Sequence, residues 1–388
     1  MPRHIFKSIY LHKYVGTAYN YYGDLVTLVS SYELPGNTGL LKDGIRAAKR
    51  IILMGTGRSG DVADITLRFL RNIGFNNSYG PGEVPYILKK DDLLLAISGS
   101  GASFYTLETA RVAKNSGSTV AAITSNDKSP LATLSDLTIA IPGSSAMRNG
   151  VDYYSRQLTG FPFAVLTPLG TLFELRALLF SLSIIAGLQG KEISNTHSSL
   201  MDAIASYYPP KSYYEELYRL APKPRSLTNP LGGRTVTIGE GLSGAVARFF
   251  TTRLRHCAKE KEERMVSYWL DKGTMSVSEG DMVVTISGSG GHIPTMLSEA
   301  GKRKGAKVVA ITSFADSPLA KAADLVIHVP GRVNMNLKGL RASYFPSDPL
   351  LSVFELRSLF FLETFIYYLA TQEGITEMDM KRVHSDFT

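Results

Sequence analysis

The chain has 388 residues, 44% of them hydrophobic and 20% charged, with 17 Phe and 20 Tyr, which fits two folded domains of roughly 150 residues or more and excludes a disordered or fibrous chain. The net charge is +8, from 42 basic and 34 acidic residues, yet the densest charged stretch, 248–264, mixes Lys259 and Lys261 with Glu260, Glu262 and Glu263; nucleic acid, which wants a stripe of one sign, is not expected, whereas a small acidic substrate is. The single cysteine, Cys257, excludes an internal disulfide and a thiolate metal cluster.

The first residues, MPRHIFKSIYLHKY, are basic but lack an apolar stretch with a small-residue cleavage site, so no secretory leader is expected. The longest nearly uncharged apolar run, Ala177 to Leu188, has 12 residues, against the roughly 20 of a membrane span. A cytoplasmic protein without a membrane partner is expected.

A helix-rich segment, 13–49, leads into the short apolar strand IILM and then Gly55-Thr56-Gly57-Arg58-Ser59-Gly60 at the head of a helical stretch. This satisfies the dinucleotide fingerprint. A nicotinamide cofactor also wants an acidic residue about 20 positions further on, and the nearest candidate, Glu83, stands 28 residues after Gly55 and beyond Pro81. No cofactor is expected.

The next strand, LLLAI, runs into Ser98-Gly99-Ser100-Gly101 before the helical stretch TLETARVAKNSG. Glycines let main-chain N–H groups converge, the helix N-terminus adds positive potential and serine hydroxyls complete the shell, which together make a monophosphate cradle. The plainer alternative is a turn that merely caps its helix. Strand VAAIT ends at Thr124 and Ser125, and LTIAI follows Ser129-Pro130-Leu131-Ala132. Further on, Glu174 lies inside GTLFELRALLF. A carboxylate in an apolar helix has its pKa raised by desolvation and suits proton transfer; the plainer alternative pairs it with Arg176 or a surface cation.

The second half repeats this order. Ser287-Gly288-Ser289-Gly290 returns at an offset of 189, Ser317-Pro318-Leu319-Ala320 at 188, Phe354-Glu355-Leu356-Arg357 at 181, and His384 answers His197 at 187. Strands VTIG, MVVTI, VVAIT and LVIHV again alternate with helical stretches, so an α/β fold with parallel sheets is expected in both halves. After the helix-rich segment 200–220, the stretch 221–233, with Pro222, Pro224 and Pro230, cannot continue a helix and leads into the first strand of the second half. The boundary is expected near residue 205, giving domains 1–205 and 206–388.

On these residues the chain resembles a tandem pair of sugar isomerase (SIS) domains, and in particular the 6-phospho-3-hexuloisomerase family. The first half matches through GTGRSG, AISGSG, AITSN with SPLA, and RQLTGFPFAVLTPLGTLFELRALLF, of which 168–175 is the most specific. The second matches through SGSG, AITS, SPLA, VFELRSLFF and the C-terminal TEMDMKRVHSDF. The resemblance implies two flavodoxin-like five-stranded sheets sandwiched by helices, packed as a pseudo-dimer that further assembles as a homo-oligomer. It implies phosphosugar substrates, no metal, and Glu174 as the base.

The family's Arg-Leu-x-His run is Phe69-Leu70-Arg71-Asn72 in the first half but Arg253-Leu254-Arg255-His256 in the second, while Arg58 becomes Leu242 and Ser103 becomes His292. A composite site is therefore expected. Phosphate would rest on Ser59, Ser98, Ser100 and Ser103 beside Arg58, with Thr124 and Ser125 closing the pocket. His256 and either His197 or His384 would polarise the carbonyl or shuttle hydroxyl protons. Arg253 would touch substrate oxygens or form an interface salt bridge. A second, partly degenerate site would comprise Ser243, Ser287, Ser289, Thr312, Ser313 and Glu355. The implied reaction converts 3-hexulose 6-phosphate to fructose 6-phosphate through an enediolate. Glucose or mannose 6-phosphate isomerisation and a non-catalytic sugar-phosphate sensor are the alternatives.

Overall fold

The structure, a computed structural model, describes residues 21–83, 88–143, 167–222, 233–257, 265–268, 276–332 and 348–383. Helix α1 (Tyr21–Ser30) buries Tyr22, Leu25, Val26 and Val29, the one-faced spacing of an amphipathic helix, and α2 (Thr38–Ala47) buries Leu41 and Ile45. Then come β1 (Arg50–Met54), α3 (Gly57–Asn72), β2 (Ser78–Tyr79), β3 (Asp92–Ile97), α4 (Phe104–Asn115), β4 (Thr119–Thr124), α5 (Pro130–Leu134) and β5 (Leu137–Ala140). These strands form one parallel sheet in the order β2-β1-β3-β4-β5. Strand β3 is buried along its whole length, as an unbroken apolar run covered on both faces must be.

Among the described residues α6 (Thr171–Leu188), α7 (Ile193–Ala205) and α8 (Lys211–Leu220) follow. The second half supplies β6 (Arg234–Gly239), α9 (Gly241–His256), β7 (Met265–Tyr268), β8 (Met282–Ile286), α10 (His292–Arg303), β9 (Lys307–Thr312), α11 (Pro318–Ala322), β10 (Leu325–His328), α12 (Val353–Glu373) and α13 (Glu377–Val383). Its sheet, β10-β9-β8-β6-β7, repeats the first strand for strand and is also parallel. The expected α/β architecture is the one observed. Both SPLA segments are helix starts: Ser129 and Ser317 each accept the N–H of the third residue on, Ala132 and Ala320, at 3.2 Å, with proline at the first helical position.

One cluster of buried apolar residues runs from Tyr22 to Met380 through both halves, and two smaller clusters, around Leu94 and around Val283, are separate from it. Helix α6 lies in this shared core. By length and composition it could cross a membrane, but 94% of it is buried inside the protein. The apolar run of 177–188 is thus the C-terminal part of a longer core helix. Helices α3 and α9 also meet: Arg248 Nε donates to Asp61 Oδ1 at 3.1 Å and its Nη2 to Asp64 Oδ2 at 2.5 Å.

Each sheet is pinned by the same ion pair between neighbouring strands, Arg50 with Asp92 and Arg234 with Asp281. Burial opposes the charge on both aspartates, but bonds from the arginine and from the N–H groups of Lys89 and Arg234 hold them below the ordinary value of 3.8. A depressed folded pKa contributes stability above pH 3.8 that is lost as pH falls through the folded value. Asp92→Asn and Asp281→Asn should therefore each cost about 1 to 3 kcal/mol at neutral pH, and thermal unfolding of either variant should depend less on pH in the acid range than that of the parent.

Candidate functional site

The Ser-Gly-Ser-Gly turn of the first half sits at the carboxyl end of β3. Gly101 has φ +63°, and a Cβ there would lie 2.1 Å from Ser129 Oγ, so only glycine lets the turn close. Ser98 Oγ accepts the Gly101 N–H at 3.2 Å and lies 3.1 Å from Ser103 Oγ; Ser100 Oγ accepts the Ala102 N–H at 3.2 Å. Ser103 holds the N-cap position of α4 but makes no side-chain cap bond. The capping alternative therefore does not account for Ser103. Ser125 Oγ donates to the Gly99 carbonyl at 2.6 Å and Thr124 Oγ1 donates to it at 3.3 Å. These two hydroxyls hold the turn in place. Ser59 is buried in the first turn of α3.

Glu174 enters from the first turn of α6. Its neighbour Phe173 fills the space above the turn, with its ring 2.9 Å from where a Gly99 Cβ would stand. Glu174 is 7% exposed, and its Oε2 has no hydrogen-bond partner among the described residues. Among the described residues the cation beside it is Arg58, 3.7 Å from Oε2. Burial pushes the Glu174 carboxyl above the usual carboxylate value, and Arg58 opposes that rise. Arg176, the alternative partner, is directed elsewhere: it donates to the carbonyls of Leu28, Val29 and Pro142, tying α6 to α1 and to the end of β5.

Arg58 also braces the segment before α6, donating to Thr171 Oγ1 at 2.5 Å and to the Leu169 carbonyl. Leu169 has φ +57°, unusual for a residue with a side chain. Its N–H donates to Glu377 Oε1 at 3.1 Å. Glu377 opens α13, in the second half of the sequence, so both halves fix the approach to Glu174. The sequence reading gave Thr171, Leu169 and Glu377 no role, although they lie inside the matched runs 168–175 and TEMDMKRVHSDF.

The second half builds its counterpart differently. Ser243 Oγ donates to Glu355 Oε1 at 3.1 Å, and Arg332 pairs with the same oxygen. A Cβ on Gly288 would meet the Arg332 side chain at 2.6 Å, so that arginine lies across the second Ser-Gly-Ser-Gly turn. Ser287 Oγ accepts the Gly291 N–H at 3.3 Å and Thr312 Oγ1 donates to the Gly288 carbonyl at 3.4 Å. Ser289 is half-buried beside them. Ser313 Oγ donates to the Val329 carbonyl at 2.8 Å. The cation of this half comes from the loop after β10, where the first half has Ser144, and Leu242 stands at the position of Arg58. Each buried glutamate keeps an arginine, but from a different element.

The histidines separate. His197 on α7 is buried, with Nδ1 3.3 Å from Ser183 Oγ and its ring edge-on to Tyr32. Ser183 is nine residues beyond Glu174 on α6, about 2.5 turns, so the structure does not bring His197 to that carboxylate. Burial lowers its pKa. His256 is buried at the end of α9. Along the α3–α9 contact, Arg248 meets Asp61 while Arg253, further along α9, acts on Arg58, earlier in α3. His384, just past the end of α13, lies outside the described residues. Arg253 is wholly buried, with Nε 3.1 Å from Glu363 Oε2.

Comparison with known proteins finds a SIS domain in each half, over residues 44–161 and 232–345. A 3-hexulose-6-phosphate isomerase from Methylomonas aminofaciens is 37% identical over 158 residues, 40% of this chain and 80% of that protein. One from Bacillus subtilis is 34% identical over 153 residues, 39% of this chain and 77% of that protein. Among solved structures, a tagatose-6-phosphate ketose/aldose isomerase from Escherichia coli aligns over 95% of this chain and 94% of its own with a TM-score of 0.61. At 16% identity it speaks for the fold alone.

Proposed function

Since the chain belongs to the SIS domain family, with one such domain in each half, we propose that it is a phosphosugar isomerase. Its first half carries the reaction, with the domain boundary near residue 205. The observation that carries this reading is Glu174: a buried carboxylate with one unpartnered oxygen, at the head of a core helix beside a Ser-Gly-Ser-Gly turn. The names of the relatives that match two-fifths of the chain favour 3-hexulose 6-phosphate and fructose 6-phosphate as the pair interconverted.

In that reaction Glu174 takes the proton from C2 of the 3-hexulose. The C2–H electrons form the C2–C3 double bond and the carbonyl electrons pass to the C3 oxygen, giving the enediolate. The proton returns at C3, the C2 hydroxyl proton passes to the C3 oxygen, and the carbonyl now stands at C2. The phosphate sits on Ser59, Ser98, Ser100 and Ser103 with the head of α4 behind them, and this remote dianion holds a small sugar in position. Arg58 fixes Glu174 and the Leu169 turn. His256, from the second half, shuttles hydroxyl protons. The α3–α9 contact and the seating of α13 on Leu169 support a pseudo-dimeric arrangement in which the second half completes the first site.

The second half reads as a binding site without turnover, because Arg332 and Ser243 already engage the carboxylate that would be its base. A thermal-shift panel of pentose, hexose and amino-sugar phosphates, followed by an isomerase assay on the hits, tests the whole reading. Stabilisation by fructose 6-phosphate but not by fructose is expected. Because a base must be ionised to act and burial raises Glu174, kcat/KM should fall as pH drops through a value above the ordinary 4.5. Equal response to the sugar and its phosphate, or no isomerisation of any hit, overturns it.

A further inference from the structure

Arg253 and Glu363 form an ion pair with side chains 0% and 1% exposed. By the repeat, Arg253 corresponds to Phe69 in α3 and Glu363 to Leu182 in α6, both fully buried and apolar. The same fold thus accepts an apolar pair at these two positions. A buried ion pair commonly adds nothing to stability that an apolar pair would not, so packing does not explain the charges in α9 and α12.

What distinguishes the pair is where it acts. The charges of Arg253 and Glu363 both reach Glu174 and Arg58, across the contact between the halves. Nε of Arg253 is engaged by Glu363, while Nη1 and Nη2 are buried and have no acceptor among the described residues. Two donors of a buried guanidinium left open is a costly arrangement unless something takes them. An anion formed beside Glu174 would do so, since a fork of two N–H groups suits one negative oxygen or a pair of them.

We propose that Arg253 is a catalytic residue of the first-half site, donating from its two η nitrogens to the enediolate oxygens, and that Glu363 is the positioning residue that orients it. This rests on the phosphosugar isomerase reading and adds to it the group that bears the developing charge. Proton removal by Glu174 leaves an electron pair on the former carbonyl oxygen, and the Arg253 fork receives that charge in a water-excluded setting. No proton leaves the guanidinium at any step.

The test uses the full chain and two probes read by calorimetry. One is a 4-phosphotetronohydroxamate, whose ionised head copies the planar C2–C3 enediolate; the other is a hexitol 6-phosphate, which carries the phosphate without that charge. The parent protein should prefer the hydroxamate. In the double variant Arg253→Phe, Glu363→Leu, which installs the first-half pair, hexitol phosphate affinity should change little while the hydroxamate preference falls by about 100-fold. Its melting temperature should be at least that of the parent. Arg253→Lys keeps the charge but loses the fork; it should lose part of the preference while the acid limb of the pH–rate profile stays in place. In the double variant that limb should move at most slightly to higher pH, because the removed Arg253 lowers the Glu174 pKa and the removed Glu363 raises it to a smaller extent.

A preference retained in both variants, or absent from the parent, overturns the assignment. Should the double variant not fold, an unchanged preference in Arg253→Lys overturns it and a reduced one supports it. Loss of the preference in a protein that turns over no phosphosugar would sink the isomerase reading and leave the anion-binding fork standing. Turnover with the preference intact would do the reverse.

Discussion

Glu174→Gln is expected to lower kcat by about 10²- to 10⁴-fold, the contribution of a placed general base, while thermal stabilisation by the phosphosugar persists. The amide keeps the shape and an acceptor oxygen but takes no proton. Glu355→Gln is expected to leave kcat within about twofold, because Arg332 and Ser243 already hold that carboxylate and hydrogen-bonded ion pairs are poor bases. Steady-state rates and ligand-induced melting shifts of the two variants, measured together, decide the matter. Equal losses of rate would show two working sites and refute the division between the halves.

Arg58→Met is expected to cost about 3 to 5 kcal/mol of stability, the penalty for leaving one member of a buried ion pair without its partner. The arginine is 6% exposed, so solvent does not replace what it gives Glu174, Thr171 and the Leu169 carbonyl. Its loss removes the charge that opposes the burial of Glu174. The Glu174 pKa rises further, and the acid limb of kcat/KM moves to higher pH. Denaturant unfolding and a pH–rate profile give the two readouts. A limb that stays in place would mean that Arg58 does not act on the base.

The motif offsets announced two copies of one parallel sheet, and the paired sheets follow that order because the apolar runs of the inner strands β1, β3, β4, β6, β8 and β9 are long enough to be largely buried on both faces. The edge strands β2 and β7 were not legible from pattern. Ser78–Tyr79 is two residues and Met265–Tyr268 follows a charged stretch, so neither carries a periodicity to read. Glu174 was legible because a lone carboxylate interrupts an apolar helix. Arg332 was not, since the second half draws its cation from a different element and an alignment of the Gly-rich turns shows only Leu242. The direction of a single histidine has no sequence signal at all, and His197 turned out to be packed against Ser183 and Tyr32. Glu363 and Glu377 matter only through contacts between halves that no local pattern reports.

The central claim is that Glu174 moves a proton between neighbouring carbons of a phosphosugar. Incubating the protein with fructose 6-phosphate in deuterium oxide and following the sugar by NMR tests it most directly. The account predicts deuterium appearing at C3 with the parent chain and none with Glu174→Gln. Exchange at the same rate in the variant, or no exchange by the parent with any phosphosugar that stabilises it, would contradict it.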